Sequence, residues 1–348
     1  MRRLYNNNVW KRRLWGLLFA GLMLTGQAAQ ACDGPGGQPL TQDPKSACKL
    51  DPQQRFRLIK QAIILVETNG RNCATNGGCP SQTVNPWRQP ASYGPAQTTV
   101  STTVELLIQD AALRNRLGIS LQELRAARAR AQAASQWYRK IYLGNGRINP
   151  VDTVGTDPTA FERTTGLSAQ DFALLDPWRR VMLIAEPIRR QGGPQTATAQ
   201  QRRQLIHALK AVHMSWTDLR PYLTHNPPIW LEAEQGLEAK AIFTDPVLKQ
   251  KLLDYFKSPV AGNVNDQRLR DEIQYYTTDP RFSNESEQDW AVRVGYAHNS
   301  GFYSAVGSLQ SIYRASYIKG SPSHPGFLYW WDQLAPANCR FSSLPGLG

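Results

Sequence analysis

The chain reads as a mainly α protein, and three observations carry that reading. Apolar residues recur at helical spacing through most of the sequence from Pro52 onward. Alternating strand patterns are few. No internal repeat of solenoid or propeller length is present.

The first residues stand apart from this pattern. Lys11-Arg12-Arg13 precede an apolar run from Leu14 to Leu24, and Ala28-Ala29-Gln30-Ala31 follow. A charged start, a short apolar stretch and an Ala-x-Ala site make residues 1–31 a secretory signal peptide. The run falls short of the about 20 apolar residues that a spanning helix needs, which argues against an uncleaved anchor. Cys32 follows the site directly, but Ala29-Gln30-Ala31 lacks the aliphatic residue usual before a lipidated cysteine. A periplasmic or secreted protein is expected, with no transmembrane segment after cleavage.

Residues 32–52 are rich in Gly, Pro and Gln and read as a flexible tail. A helix follows, with Phe56, Ile59, Ile63 and Val66 on one face. The segment 69–98 is rich in Asn, Gly, Pro and Gln and reads as ordered loops. Val104 to Leu113 is a short helix. Leu121 to Leu143 is a longer one, burying Leu124, Ala127, Ala131, Ala134, Tyr138 and Ile141, and Gly144-Asn145-Gly146 ends it. Residues 144–160 form a connection. Ser168 caps a helix over 169–176, and Trp178 to Arg189 continues helical before Gly192-Gly193-Pro194. Helices are expected at 198–214, 215–223, 229–242, 245–257 and 264–276, then at 286–297 and 301–318.

Composition narrows the function. Hydrophobic residues make up 41% and charged residues 19%, which argues against wholesale disorder and a polytopic membrane protein. The formal charge is +13. Without the five cations of residues 1–31 the balance is 35 cations against 27 acids, or +8. The arginines (Arg125, Arg128, Arg130; Arg179, Arg180; Arg189, Arg190; Arg202, Arg203) are scattered, not striped. In an exported protein this suits an anionic wall or membrane, not nucleic acid. No P-loop or dinucleotide fingerprint follows a strand. The cysteines are Cys32, Cys48, Cys73, Cys79 and Cys339. In an oxidising compartment Cys73 and Cys79 are expected to pair around Ala-Thr-Asn-Gly-Gly, leaving three cysteines and one over. Their spacing is not that of a zinc site, and His207 and His213 are six apart, so no metal is expected.

One carboxylate is oddly placed. Gln61 to Asn69 reads Gln-Ala-Ile-Ile-Leu-Val-Glu-Thr-Asn, so a solid apolar run ends in Glu67 where the helix stops. The negative end of the helix and the apolar neighbours both disfavour its charged form. A carboxyl kept protonated near neutral pH is what glycosidic general-acid catalysis requires.

Downstream come Asn85-Pro86-Trp87 and Ser92-Tyr93-Gly94-Pro95-Ala96-Gln97, and much later Gly295-Tyr296-Ala297-His298-Asn299-Ser300-Gly301. Together with Glu67-Thr68 these resemble the motifs of the lysozyme-like superfamily, especially soluble lytic transglycosylases and goose-type lysozymes. In that family a helix ends in Glu-Ser, and an Asn-Pro segment, a Ser-x-Gly turn and a cleft-lining Gln follow. A later Ala-Tyr-Asn-x-Gly motif brings a Tyr to the acid, and another helix comes after it, here matched by Phe302 to Ile318. The resemblance implies Glu67 as catalytic acid, with Thr68, Ser92, Tyr93, Gln97, Tyr296 and Asn299 binding substrate. Trp87, Tyr93 and Tyr296 are candidate sugar-stacking rings, and His298 lies inside the third motif. Trp330-Trp331 reads as a packing anchor. The sequence departs from the family in spacing. Glu67 and Asn85 are 18 positions apart, and Gln97 and Tyr296 are 199 apart. The fold implied is a lysozyme-like helical domain over 53–348 with a large helical insertion at 150–284.

The activity implied is cleavage of the bond between N-acetylmuramic acid and N-acetylglucosamine in peptidoglycan, without cofactor. Glycoside hydrolases usually place a second carboxylate across the cleft. The nearest downstream acids, Glu105 and Asp110, sit on an amphipathic helix and are expected to face water. A lytic transglycosylase, which uses one Glu as acid and then base, is therefore favoured. The alternatives are a chitinase- or lysozyme-type hydrolase on the same fold and a non-catalytic wall-binding scaffold. The insertion is a candidate contact for an envelope protein partner.

Overall fold

A computed structural model describes residues 48–82, 84–140, 142–143, 147–148, 157–224, 229–301, 303–321 and 323–341. The signal peptide at 1–31, Cys32 and most of the tail lie outside these residues. The fold is mainly α.

Helix α1 (Pro52–Thr68) shows why a local sequence becomes a defined element. Asp51 accepts from the amides of Gln53 and Gln54, the Gln54 side chain bonds back to Asp51, and Pro52 opens the first turn. Phe56, Ile59, Ala62 and Ile63 fall on one buried face, as their spacing predicts. Full burial of each larger side chain contributes about 1.5–3 kcal/mol. The helix stops where Asn69 turns left-handed at φ 50°. The Gly70 amide then closes on the Leu65 carbonyl at 2.9 Å.

The expected tail is pinned at its end. Cys48 is buried and bonded to Cys339, and Leu50 is buried. A loose segment therefore does not extend over the whole of 32–52. The Cys73–Cys79 disulfide forms as expected.

A short antiparallel pair follows, β1 (Ser92–Tyr93) with β2 (Thr98–Thr99), in register Ser92 to Thr99 and Tyr93 to Thr98. Then come α2 (Val100–Gln109), α3 (Ala111–Arg116) and α4 (Leu121–Arg139). The helix expected at 104–113 starts four residues earlier, capped by Thr99, and breaks at Asp110, whose carboxylate caps α3. The helix α4 ends at Arg139, not Leu143. Strands β3 (Tyr142–Leu143) and β4 (Arg147–Ile148) pair there instead, on either side of Gly144-Asn145-Gly146. An Asn-Gly between short apolar stretches is a hairpin signal as well as a helix stop.

Next come α5 (Pro158–Thr165), α6 (Ala169–Ala173), α7 (Leu175–Arg190), α8 (Ala199–Lys210), α9 (Trp216–Leu219), α10 (Ile229–Ile242) and α11 (Pro246–Lys257). Helix α5 falls partly in the expected connection, with Asp157 as its cap. A 3-10 stretch at Pro259–Asn265 leads to α12 (Asp266–Thr278) and then α13 (Glu287–Ser300). The single helix expected at 301–318 is broken into a 3-10 turn at Ser304–Val306, α14 (Leu309–Tyr313) and α15 (Ser316–Lys319). Gly301 at φ 108° and a new cap at Ser308 interrupt it. Strands β5 (Gly320–Ser321) and β6 (His324–Pro325) and helix α16 (Phe327–Leu334) close the described chain.

The buried side chains form three clusters. One joins Val84, Trp87 and the end of α4 to α5, α7, α8 and α10. A second joins the β1–β2 hairpin to α2, α4, α10 and α11. The third joins α1 to α12, α13, α14, α15 and α16. Helices from the segment 150–284 pack on the helices before and after it. Helix α10 lies along α4 and α2, and α12 packs against α1 and α13.

Candidate active site

Glu67 is in the last turn of α1, with its side chain 18% exposed. Burial raises its carboxyl pKa to about 7, opposed by the Tyr317 hydroxyl. At neutral pH about half of the molecules therefore carry the proton. Part of the side chain therefore remains open to solvent.

Two later helices bring side chains to it, and a third supplies charges that act on those side chains. From α13, His298 Nε2 lies 3.9 Å from Glu67 Oε1. This is not an ion pair. Burial and the nearby Arg268 charge push the His298 pKa down to about 3, outweighing its contact with the Ala96 carbonyl. The imidazole is therefore neutral at physiological pH. It links the α1 terminus to the turn between β1 and β2. From α15, the Tyr317 hydroxyl points to the Glu67 carboxyl without forming a bond of full hydrogen-bond geometry. Burial and the charges of Glu67 and Glu272 raise the Tyr317 pKa well above the usual phenol value. From α12 come Arg268 and Glu272, joined by a 2.9 Å contact from Arg268 Nε to Glu272 Oε1. The Glu272 side chain is fully buried. Trp330 of α16 lies over Gly70, just past the end of α1, where an added Cβ would meet its ring at 3.2 Å.

The loop after α1 is braced from below. Gly94 donates to the Gly78 carbonyl at 2.6 Å, and Ser81 donates to the Ser92 carbonyl. The Gln97 amide donates to the Cys79 carbonyl at 2.7 Å and to the Gly94 carbonyl at 3.0 Å, and accepts from the Ser92 hydroxyl. Gln97 itself sits at φ 46°. The Cys73–Cys79 staple and the hairpin are thus one braced unit beside Ala96 and His298.

The residues expected to bind substrate separate into three groups. Ser92 and Gln97 are in the braced hairpin, and their side chains are committed to it. Thr68 and Tyr93 are core residues, contrary to expectation. Thr68 is 1% exposed, with its hydroxyl on the Ile64 carbonyl at 2.7 Å. Tyr93 is buried, stacked on Phe256 at 5.1 Å, and accepts a hydrogen bond from Gln89. Trp87 is likewise buried, edge-on to Tyr138, so it is no sugar platform. On α13, Tyr296 is half-buried against the third cluster and Asn299 is exposed. The α13 side chain that reaches Glu67 is His298, not Tyr296. Tyr317, Glu272 and Arg268 carry no motif and were not expected. An Arg–Glu spacing of i,i+4 on α12 is the one local signal they leave.

The other acids have other tasks. Glu105 pairs with Arg128 at 2.7 Å on the surface, and Asp110 caps α3. Burial also raises Glu232 and Glu238 to about 7. A raised carboxyl therefore does not by itself mark the site. Glu238 lies among the hydroxyls of Ser101 and Ser135 and the charge of Glu234. Only around Glu67 do a raised carboxyl, a neutral imidazole and a phenol from three separate helices converge, among the described residues. Trp331 is buried, with its indole on the Cys339 carbonyl at 2.8 Å, as an anchor should be.

Comparison with protein-family models, with curated proteins and with solved structures finds no match for this chain. No helix among the described residues is long and apolar enough to cross a membrane.

Proposed function

We propose that the protein is an exported peptidoglycan-cleaving enzyme of lysozyme-like type, acting as a lytic transglycosylase with Glu67 as its single acid and base. The observation that carries this reading is Glu67 itself. It is a carboxyl at the end of an apolar helix, 18% exposed and held at about pKa 7. Such a group holds a proton at neutral pH and can also release it. The two disulfides suit a periplasmic or secreted location.

Glu67 gives its proton to the glycosidic oxygen as the bond from that oxygen to C1 of the muramic sugar breaks. The resulting carboxylate then takes the proton of the sugar's own C6 hydroxyl as that oxygen closes on C1. The product is a 1,6-anhydro sugar, and Glu67 ends protonated. No second carboxylate has to reach the substrate. Glu272 is fully buried and cannot. Neutral His298 adds no competing charge to the carboxyl.

Mass spectrometry of peptidoglycan digests tests the reaction type. Anhydro-muramic ends are expected. Reducing muramic ends alone would identify a hydrolase instead. Binding without release of any fragment would favour a wall-binding scaffold.

A further inference from the structure

A second concave site lies in the segment 150–284, which none of the family-like motifs covers. After α7 the chain reverses through Gly192 and Gly193, both left-handed at φ 103° and 102°. The Gly193 amide donates to the Ile188 carbonyl at 3.0 Å, and the Thr196 hydroxyl donates to the Gly193 carbonyl at 2.7 Å. A Cβ on Gly193 would collide with the Thr224 methyl. Only a residue without a side chain therefore lets this loop close on the end of the 3-10 turn Arg220–Leu223. Loop, turn and α9 enclose a pocket of about 370 Å³, with Gln195, Trp216, Thr217 and Arg220 in its lining. That volume falls in the range of small-ligand sites. None of the lining residues belongs to the group around Glu67.

The lining groups are of complementary kinds. Arg220 is the one charged residue among them. It is exposed and forms no ion pair among the described residues. The acid nearest to it in the chain, Asp218, is committed to the cap of α9, where it accepts from the Ser215 amide at 2.9 Å and the Ser215 hydroxyl at 2.7 Å. A guanidinium left without an acid is a ready partner for a carboxylate, which its planar fork can hold by two parallel bonds. Gln195 donates its side-chain amide to the Gly192 carbonyl, which leaves its side-chain oxygen to accept an N–H. Trp216 is half-buried and packs against the first core cluster, so the ring is held in place where it lines the pocket. An indole so fixed offers an apolar surface at little entropic cost.

We propose that this pocket binds a carboxylate that stands next to an acylamino group. The carboxylate sits on Arg220, the acylamino N–H on the Gln195 oxygen, and the apolar part against Trp216. This rests on the reading that the protein acts on peptidoglycan, which supplies that pairing in two forms. One is a muramic acid whose peptide has been removed. The other is the free end of a stem peptide. The pocket is then a second hold on the wall, separate from the residues around Glu67.

Indole N–H NMR of the whole exported chain tests the proposal, with N-acetylmuramic acid and N-acetyl-D-alanyl-D-alanine as probes. The Trp216 signal is assigned by its loss in Trp216→Phe. At least one probe should shift that signal in a saturable way, and the one that does so names the source. N-acetylglucosamine has the acylamino group without the carboxylate, so it should bind about tenfold more weakly or worse. Arg220→Ala should weaken the acidic probe by about the same factor and leave N-acetylglucosamine unchanged. The other indole signals report whether the variant is folded. If it is not, the comparison of the three probes on the unaltered chain still decides. A Trp216 signal blind to both acidic probes would overturn the proposal. So would an equal response to N-acetylglucosamine, or undiminished binding of the acidic probe by folded Arg220→Ala. The titration needs no turnover, so its failure is distinct from that of the functional reading. That reading fails separately if a Glu67→Gln variant degrades peptidoglycan like wild type.

Discussion

Glu67 is placed where its charged form is disfavoured, and this has a thermodynamic consequence. Its folded pKa, about 7, lies above the unfolded value of 4.5. Between these values the folded state holds a proton that the unfolded state has lost. Stability therefore falls as pH rises from 4.5 through 7 and stays lowered above it. The cost is up to about 3 kcal/mol from this one group. Glu67→Gln, neutral at every pH, is expected to melt at a higher temperature than wild type at pH 8 and at nearly the same temperature at pH 4. Equal melting at both pH values would show that Glu67 ionises freely. His298 gives a second expectation at this scale. With its pKa near 3, its ring protons should not titrate between pH 5 and 9 by NMR. A His298 titration near 6.5 would mean that the pocket is wetter than its burial indicates.

At the scale of elements, α1 matters because it ends abruptly. Asn69 and Gly70 both take left-handed backbone, and Trp330 closes over Gly70. Gly70→Ala strains the turn at φ 71° and presses on the indole, so a loss of about 1 kcal/mol or more is expected by denaturant unfolding. A change in tryptophan fluorescence should accompany it. A neutral result would mean that the α1 terminus is not locked by α16. This helix was legible in the sequence because its cap, apolar face and stop are all local. The hairpin of Ser92 to Thr99 was visible as a turn, but its inward bracing was not, because Gln97 bonds to Cys79 through contacts that no spacing reports. Thr68 and Tyr93 were misplaced for a related reason. Motif position predicts that a residue is near a site, whereas burial depends on partners such as Phe256, 163 positions after Tyr93. The break at 301–318 had local warnings in Gly301, Gly307 and Ser308. That break is what places Tyr317 on α15, from which its hydroxyl approaches Glu67.

For the whole molecule, sequence distance and spatial role are nearly unrelated. The site gathers residues 67, 96, 268, 272, 298 and 317 into one cluster. The mainly α class could be read from periodicity, but the packing of α10 on α4 and of α12 on α1 could not, because no spacing reports which helices meet. The described chain is closed end to end by Cys48–Cys339, which spans 291 positions, while Cys73–Cys79 spans 6. A long cross-link restricts the unfolded chain more than a short one. Cys48→Ala with Cys339→Ala is expected to lose about 2–4 kcal/mol of stability. Cys73→Ala with Cys79→Ala should lose less stability but more activity, because that staple braces the hairpin under Ala96 and His298. Thermal unfolding and turnover of the two double variants, measured side by side, check the division. The reverse order would contradict it.

The function proposed for this protein turns on acid and base catalysis by Glu67 on peptidoglycan. Its most direct test is the release of soluble muropeptides by the mature protein and by Glu67→Gln, with folding of the variant confirmed. Turnover by wild type is expected, with a loss of about 10²–10⁴-fold in the variant, the usual contribution of a positioned general acid. Equal release by the two proteins would contradict it.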